Sequence, residues 1–268
     1  MTLELHGLTR SFGAVAAVDD VGFVVPGGQM VGVVGRSGAG KSTLLRMING
    51  LTEPSAGHVL FGGREVSSLR GRALRDWRAD CAMVFQQFNL VQRLDVLTNV
   101  LLGRLHRRRG PLAGLTSLLA LFTAEERAAA LGLLDRFGLA DAALQRAETL
   151  SGGQQQRVAI CRVLMQEPKV VLADEPISSL DPANAEAVMR ALRGVNRAQG
   201  LTVLCNLHQL DAARAHCDRI LGVRRGRVVF DGPPAALDAA REEAIFGGAE
   251  AAEGPAPSAF PGGALARR

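Results

Sequence analysis

Across residues 30–34, Met-Val-Gly-Val-Val, apolar and small positions do not alternate with polar ones; they run together and stop at Gly35. A short run of this kind, closed by a turn residue, predicts a strand buried on both faces. From Ser42 the spacing changes. Leu44, Leu45, Met47 and Ile48 recur as one helical face that ends near Asn49-Gly50. Upstream, residues 3–8 and 21–25 show apolar alternation, which predicts two short strands of a small antiparallel element. Downstream, Val170–Ala173 is another unbroken apolar strand. Asp181 as N-cap with Pro182 in the first turn then opens a helix. Thr202–Asn206 reads as a strand, Gln209–His216 as a helix, and Arg224-Arg-Gly226 as the turn of a closing hairpin.

Between Leu90 and Thr149 the pattern is mainly helical, punctuated by Gly110-Pro111 and Gly138. Thr123-Ala-Glu-Glu126 is a capping box, and Ala128, Leu131, Leu134 and Phe137 are expected to form the apolar face behind it. A second capping box, Ser151 with Gln154, opens a helix expected to run through Gln166. The prediction is an α/β domain over residues 2–246, with an antiparallel β element at its start and a helical subdomain inserted at about 90–165. From Gly247 the chain turns to Gly, Ala and Pro, so residues 247–268 have the composition of a disordered tail.

Composition changes this picture little. A chain of 268 residues, 47% hydrophobic and 21% charged, suits one large core. No run reaches the roughly 20 apolar residues of a membrane span, and Met1-Thr-Leu-Glu-Leu-His carries no secretory signal pattern. Cys81, Cys161, Cys205 and Cys217 lack metal-ligand spacing and read as reduced thiols. The net charge of +5 and pI near 9.6 would suit nucleic acid or an anionic membrane. Part of that excess is the Arg107-Arg-Arg109 run and the terminal Arg267-Arg268, and such runs are more often solvated than functional.

Three stretches carry the chemistry. Gly35-Arg36-Ser37-Gly38-Ala39-Gly40-Lys41-Ser42 lies between the predicted strand and helix, the context a phosphate-binding loop requires. Backbone N–H groups of Gly38 to Ser42 can wrap a β-phosphate, Lys41 reaches the β- and γ-phosphates, and the Ser42 hydroxyl suits Mg²⁺. Leu150-Ser151-Gly152-Gly153-Gln154 offers a second helix start with unpaired N–H groups, where two glycines admit a phosphate. Asp174 emerges at the carboxyl edge of a buried strand, where ligands gather in α/β sheets. It fits a water-mediated Mg²⁺ ligand, and Glu175 beside it fits the group that activates a water for attack on a γ-phosphate.

Over about residues 2–235 the chain resembles the nucleotide-binding subunit of an ATP-binding cassette (ABC) transporter. That resemblance implies a P-loop NTPase core of the RecA-like kind. It implies that Phe12 stacks on adenine, that Gly35 to Ser42 with Thr43 form the Walker A loop, and that Leu150–Gln154 is the family signature. Asp174-Glu175 matches the Walker B pair, Ser178-Ser-Leu-Asp181 the D-loop, and His208 the switch histidine. Gln86, in Val84-Phe-Gln-Gln-Phe-Asn-Leu90, matches the glutamine that links Mg²⁺ to the membrane subunit; Gln87 adjoins it, and Gln86 is favoured because it directly follows Phe85. The implied catalytic set is Glu175, His208 and Gln86, with Ser42, Gln86 and Asp174 at the metal. The implied ligands are ATP and Mg²⁺.

One P-loop and one signature per chain imply that two copies pair head to tail, each completing the other's ATP site. The other implied partners are a membrane permease and, indirectly, a substrate-binding protein, at the cytoplasmic face of the inner membrane; no nucleic-acid partner is expected. Asn206-Leu-His-Gln209, Phe88–Val100, Gly103-Arg-Leu, Ser117–Phe122 and Leu172–Pro182 are similar to the ATP-binding subunit of phosphonate importers (PhnC type). Cys161 and Val163 depart from the usual small alanines after the signature without removing a catalytic group. Two other readings compete: an importer ATPase for another cargo such as amino acids, and a cassette ATPase acting on nucleic acid. The latter lacks the long heptad coiled coil such proteins place between P-loop and signature.

Overall fold

In this computed structural model residues 1–107, 122–178 and 180–247 are described. The Gly110-Pro111 break, nearly all of Ser117–Phe122, Ser179, Arg108, Arg109 and the tail after Gly247 lie outside them. Strands β1 (Leu3–Phe12) and β2 (Val15–Val25) pair antiparallel and are longer than the alternation suggested. Register shifts after Leu5, Leu8 and Arg10 interrupt the period of two, which is why only the ends nearest the core stood out. The chain then forms β3 (Met30–Val34), α1 (Lys41–Ile48), β4 (Ala56–Phe61), β5 (Arg64–Glu65), α2 (Gly71–Asp80) and β6 (Cys81–Val84). Helices α3 (Val96–Leu101), α4 (Ala124–Arg136) and α5 (Gly152–Leu164) occupy the middle. After them come β7 (Val170–Asp174), α6 (Pro182–Gln199), β8 (Thr202–Leu207), α7 (Leu210–His216), β9 (Arg219–Arg224), β10 (Arg227–Gly232) and α8 (Ala239–Phe246).

Two sheets result. The first has strand order β2-β1-β4-β5 and is antiparallel; the second has order β10-β9-β3-β8-β7-β6 and is parallel apart from β10. β3, β7 and β8 are buried at every position, so the parallel sheet is covered on both faces. Val31 and Val33 face a core shared with α1 and the antiparallel sheet, whereas Met30 and Val34 face one shared with the helices. Trp77 on α2 closes the first core and donates its Nε1–H to Ile48 O at 2.9 Å. Arg225 and Gly226 at φ 48° and 80° make the hairpin turn between β9 and β10 that the sequence predicts.

Both capping boxes are present, with the Thr123 and Ser151 hydroxyls accepting from the N–H groups of Glu126 and Gln154. The expected face of α4 is corrected. Ala130, Leu134 and Phe137 are buried, while Ala128 is exposed and Leu131 is 41% exposed. The spacing 130, 134, 137 is one helical stripe, and in an alanine-rich helix an outward leucine makes a neighbouring stripe look equally apolar.

All four cysteines are free and buried, and burial pushes each thiol pKa up, that of Cys217 to about 12. They are packing groups with little thiolate character. No helix among the described residues is long and apolar enough to cross a membrane.

Candidate active site

The parallel sheet sets its functional side chains along one edge. The loop after β3 begins α1, Gln86 follows β6, Asp174 ends β7 with Glu175 after it, and His208 follows β8. In parallel strands these are all carboxyl ends, the edge where α/β proteins bind ligands.

The loop from Gly35 to Gly40 is built around its glycines. A Cβ on Gly35 would lie 2.1 Å from Val223 O, and one on Gly40 2.0 Å from Ala17 O, so the backbone must pass too close for a side chain. Gly40 at φ 100° caps α1 with no side-chain hydrogen bond, and no acidic residue sits in the first turn. The amides of that turn have no intrahelical partners, which leaves an anion-binding helix start. Lys41 is 4% exposed and donates its Nζ to Gly35 O at 2.7 Å and Arg36 O at 2.8 Å. Burial lowers its pKa, against the opposing pull of Glu175 and Asp174.

Ser42 Oγ donates to Asp174 Oδ1 at 2.7 Å, across 132 residues of chain. Arg46 Nη2 comes within 4.0 Å of Asp174 Oδ2. Glu175 has both carboxylate oxygens engaged: Gln86 Nε2 donates to Oε2 at 3.2 Å, and His208 Nε2 lies 2.6 Å from Oε1. Gln86, and not Gln87, which is also exposed, is the side chain hydrogen-bonded to Glu175. Among the described residues no group of three or more His, Cys, Asp or Glu could hold a metal alone. The oxygens of Ser42, Asp174 and Gln86 are hard donors. Such a partial set fits Mg²⁺, which binds through one or two carboxylates together with substrate phosphates.

The remaining expected residues fall in three places. Phe12 is 41% exposed, so it is not core; the Arg10 guanidinium covers its ring at 4.8 Å. Ser151 and Gly152 are exposed at the start of α5, with no acidic residue in that first turn. Asp181 caps α6 by accepting from Asn184 N at 3.1 Å; the Asn184 side-chain amide also donates to its carboxylate and, ahead of that backbone contact, lowers its carboxyl pKa. Arg36, Ser37, Gly38, Ala39 and Thr43 complete the loop and the start of α1.

One residue escaped the sequence reading as a site member. Asn206 on β8 is fully buried and donates Nδ2 to Asp174 Oδ1 at 2.7 Å and to Ser42 Oγ at 3.3 Å. Its signal was a lone amide in the otherwise apolar end of a buried strand, two positions before His208.

Known proteins match this arrangement. The family model for ABC transporters covers residues 18–178. The "Phosphonates import ATP-binding protein PhnC" of Rhizobium etli is 63% identical over 244 residues, 91% of this chain and 85% of the relative. The protein of the same name from Rhizobium meliloti is 61% identical over 250 residues, 93% of this chain and 88% of the relative. Among solved structures, a dimeric bacterial ABC transporter cassette superposes with TM-score 0.77 at 33% identity, covering 87% of this chain and 98% of the cassette. A second, a post-hydrolysis cassette dimer bound to ADP and Pi, gives TM-score 0.73 at 32% identity, covering 87% of this chain and 98% of the other. With the P-loop, the strand-edge carboxylates and the signature helix in the fold these cassettes share, the chain belongs to the ABC transporter family.

Proposed function

We propose that this chain is the ATP-hydrolysing subunit of an importer for phosphonates or related phosphorus oxyanions. The observation that carries the chemistry is the Glu175 carboxylate, held between Gln86 and His208 at the strand edge beside the P-loop. ATP lies with its β- and γ-phosphates against the Gly38–Ser42 amides, and Lys41 gives up its loop carbonyls to pair with them. Phe12 carries the adenine. Ser42, Asp174 and Gln86 would hold Mg²⁺, which when bound would supply positive charge to the phosphates. Glu175 takes a proton from the water that attacks the γ-phosphorus as the bond to the β–γ bridging oxygen breaks and ADP leaves, and His208 holds the γ-phosphate oxygens.

A single chain supplies half of each site. In the head-to-tail pair, Ser151, Gly152, Gly153 and Gln154 of one copy complete the phosphate shell of the other, and Asp181 orders the adjoining loop. The segment after Gln86 and the inserted helices, about residues 90–165 of a domain spanning 2–246, receive the permease. The subunit thereby sits at the cytoplasmic face of the inner membrane.

Cargo assignment is supported by the two phosphonate-import relatives at 61–63% identity. With permease and binding protein reconstituted in liposomes, ATP hydrolysis should rise with phosphonate-loaded binding protein and stay basal with an amino acid. Stimulation by the amino acid alone would reject the phosphonate reading and leave the ATPase chemistry standing.

A further inference from the structure

We infer that Asn206 is a positioning residue for the cation site, clamping Asp174 in the rotamer that serves it. The inference rests on the reading of Ser42 and Asp174 as Mg²⁺ ligands. Asn206 stands opposite Asp174 in the β7–β8 register, and its main-chain oxygen accepts from Glu175 N at 3.2 Å. Its Nδ2 and the Ser42 hydroxyl both donate to Asp174 Oδ1, each at 2.7 Å. With both donors on Oδ1, Asp174 is held with Oδ2 turned to the Arg46 guanidinium, a long ion pair at 4.0 Å that a cation can displace. Groups that hydrogen-bond a metal's ligands fix their orientation and tune affinity in this manner.

A second feature separates this role from ordinary packing. Asn206 Oδ1 is buried without a hydrogen-bond partner, so the amide is unfavourable to the fold at that atom. Turning the amide over would set this oxygen against the Asp174 carboxylate and forfeit the donor. β8 is buried at all six positions, with Cys205 and Leu207 on either side of Asn206, so an apolar side chain would suit the strand better. The strand therefore tolerates a polar atom it cannot satisfy in order to present a donor to Asp174, the pattern of a stability cost kept at a functional site.

The test uses the full chain carrying Glu175→Gln, with a fluorescent ATP analogue titrated at rising Mg²⁺. Asn206→Val should raise the Mg²⁺ concentration for half-maximal nucleotide retention by about 10- to 100-fold. Binding in EDTA should be unchanged, and the melting temperature should be equal or higher. Asn206→Leu, close to Asn in shape, is a second variant with the same expectation. An unmoved Mg²⁺ midpoint, while Ser42→Ala and Asp174→Asn shift theirs, overturns the role of Asn206 and leaves the cation site intact. If those two controls also fail to shift, the cation reading falls and takes the inference with it. Failure of both apolar variants to fold, or equal loss of binding with and without Mg²⁺, assigns Asn206 to the fold and overturns the proposal.

Discussion

Glu175 sits at φ 55°, in the left-handed region that costs a non-glycine residue about 1–2 kcal/mol. Its N–H is held by Asn206 O, its own carbonyl accepts from Ser178 N at 3.4 Å, and Gln86 and His208 hold its carboxylate. Strain fixed from several sides at the end of a buried strand is what an active-site residue shows when its direction matters more than its comfort. Glu175→Gln preserves shape and one acceptor oxygen, exchanges the other for an amide donor, and cannot take a proton. We expect it to retain ATP binding and lose roughly 10²-fold or more in turnover, measured by phosphate release beside equilibrium nucleotide binding. Near wild-type turnover in that variant would remove Glu175 from the proton transfer. Lys41 makes the contrasting case. It is buried, with its ammonium on two loop carbonyls, so Lys41→Ala deletes both the charge for the phosphates and the tie that shapes the loop. Nucleotide affinity itself should fall about 10- to 100-fold, the scale of one or two charge-assisted hydrogen bonds. At this scale the P-loop, Asp174 and Glu175 stood out by side-chain type and spacing, whereas His208 and Gln86 were picked out only by the resemblance; the structure brings both of those side chains to Glu175. Asn206 was not legible, because its meaning lies in a partner 32 residues away on the neighbouring strand.

Elements were legible where one period ran long enough to recognise. β3, β7, β8 and the helix starts at Ser151 and Asp181 were placed from pattern and caps. β6 has only four residues, all buried, directly behind α2, so it shows neither alternation nor flanking turns. α8 has one buried residue, Ile245, and its packing against Gly222 on β9 is a tertiary fact. The face of α4 is the sharpest test of this limit. Leu134→Ala should destabilise by about 2–5 kcal/mol, as for a leucine removed from a closed core, while Leu131→Ala should stay within about 0.5 kcal/mol. Urea unfolding reads both, and equal losses would contradict the observed rotation of the helix. A second element-scale link joins α6 to the entry of β3. Arg193 donates to both Asp218 oxygens, Asp218 also accepts from Met30 N at 2.9 Å, and the Arg193 hydrogen bond holds its carboxyl below the ordinary value of 3.8. A depressed folded pKa contributes stability above the unfolded value and loses it as pH falls through the folded one. Asp218→Ala should thus lower the melting temperature at pH 7 by roughly a few degrees, with the difference shrinking below about pH 4. A penalty that grows on acidification would reverse that sign and disprove the linkage.

At the scale of the whole molecule, the proposed head-to-tail pairing requires the signature helix of one copy to reach a phosphate bound by the other. α5 is tied to the segment after Gln86 by Arg162, which donates to Asn89 O at 2.6 Å and Phe88 O at 3.0 Å. Asn99 on α3 joins the same assembly by donating to the carbonyls of Val91, Leu94 and Asp95. These bonds couple the exposed Ser151-Gly152 start to the region around Gln86, so a phosphate bound at one end and a permease helix at the other would act on a connected body. Each chain holds one P-loop and one such helix start, and the solved cassette that superposes on it is described as dimeric. Mg²⁺-ATP should accordingly drive the Glu175→Gln protein from monomer to dimer in sedimentation velocity, since nucleotide that cannot be cleaved remains between the two copies. Ser151→Arg places a long cation at the helix start and removes the capping hydroxyl that accepts from Gln154 N at 3.3 Å. It should abolish the dimer while ATP binding to the isolated chain, which depends on the P-loop, persists. A dimer that survives Ser151→Arg undiminished would mean that the signature helix does not close over the partner's nucleotide, and the sites would have to be complete within one chain.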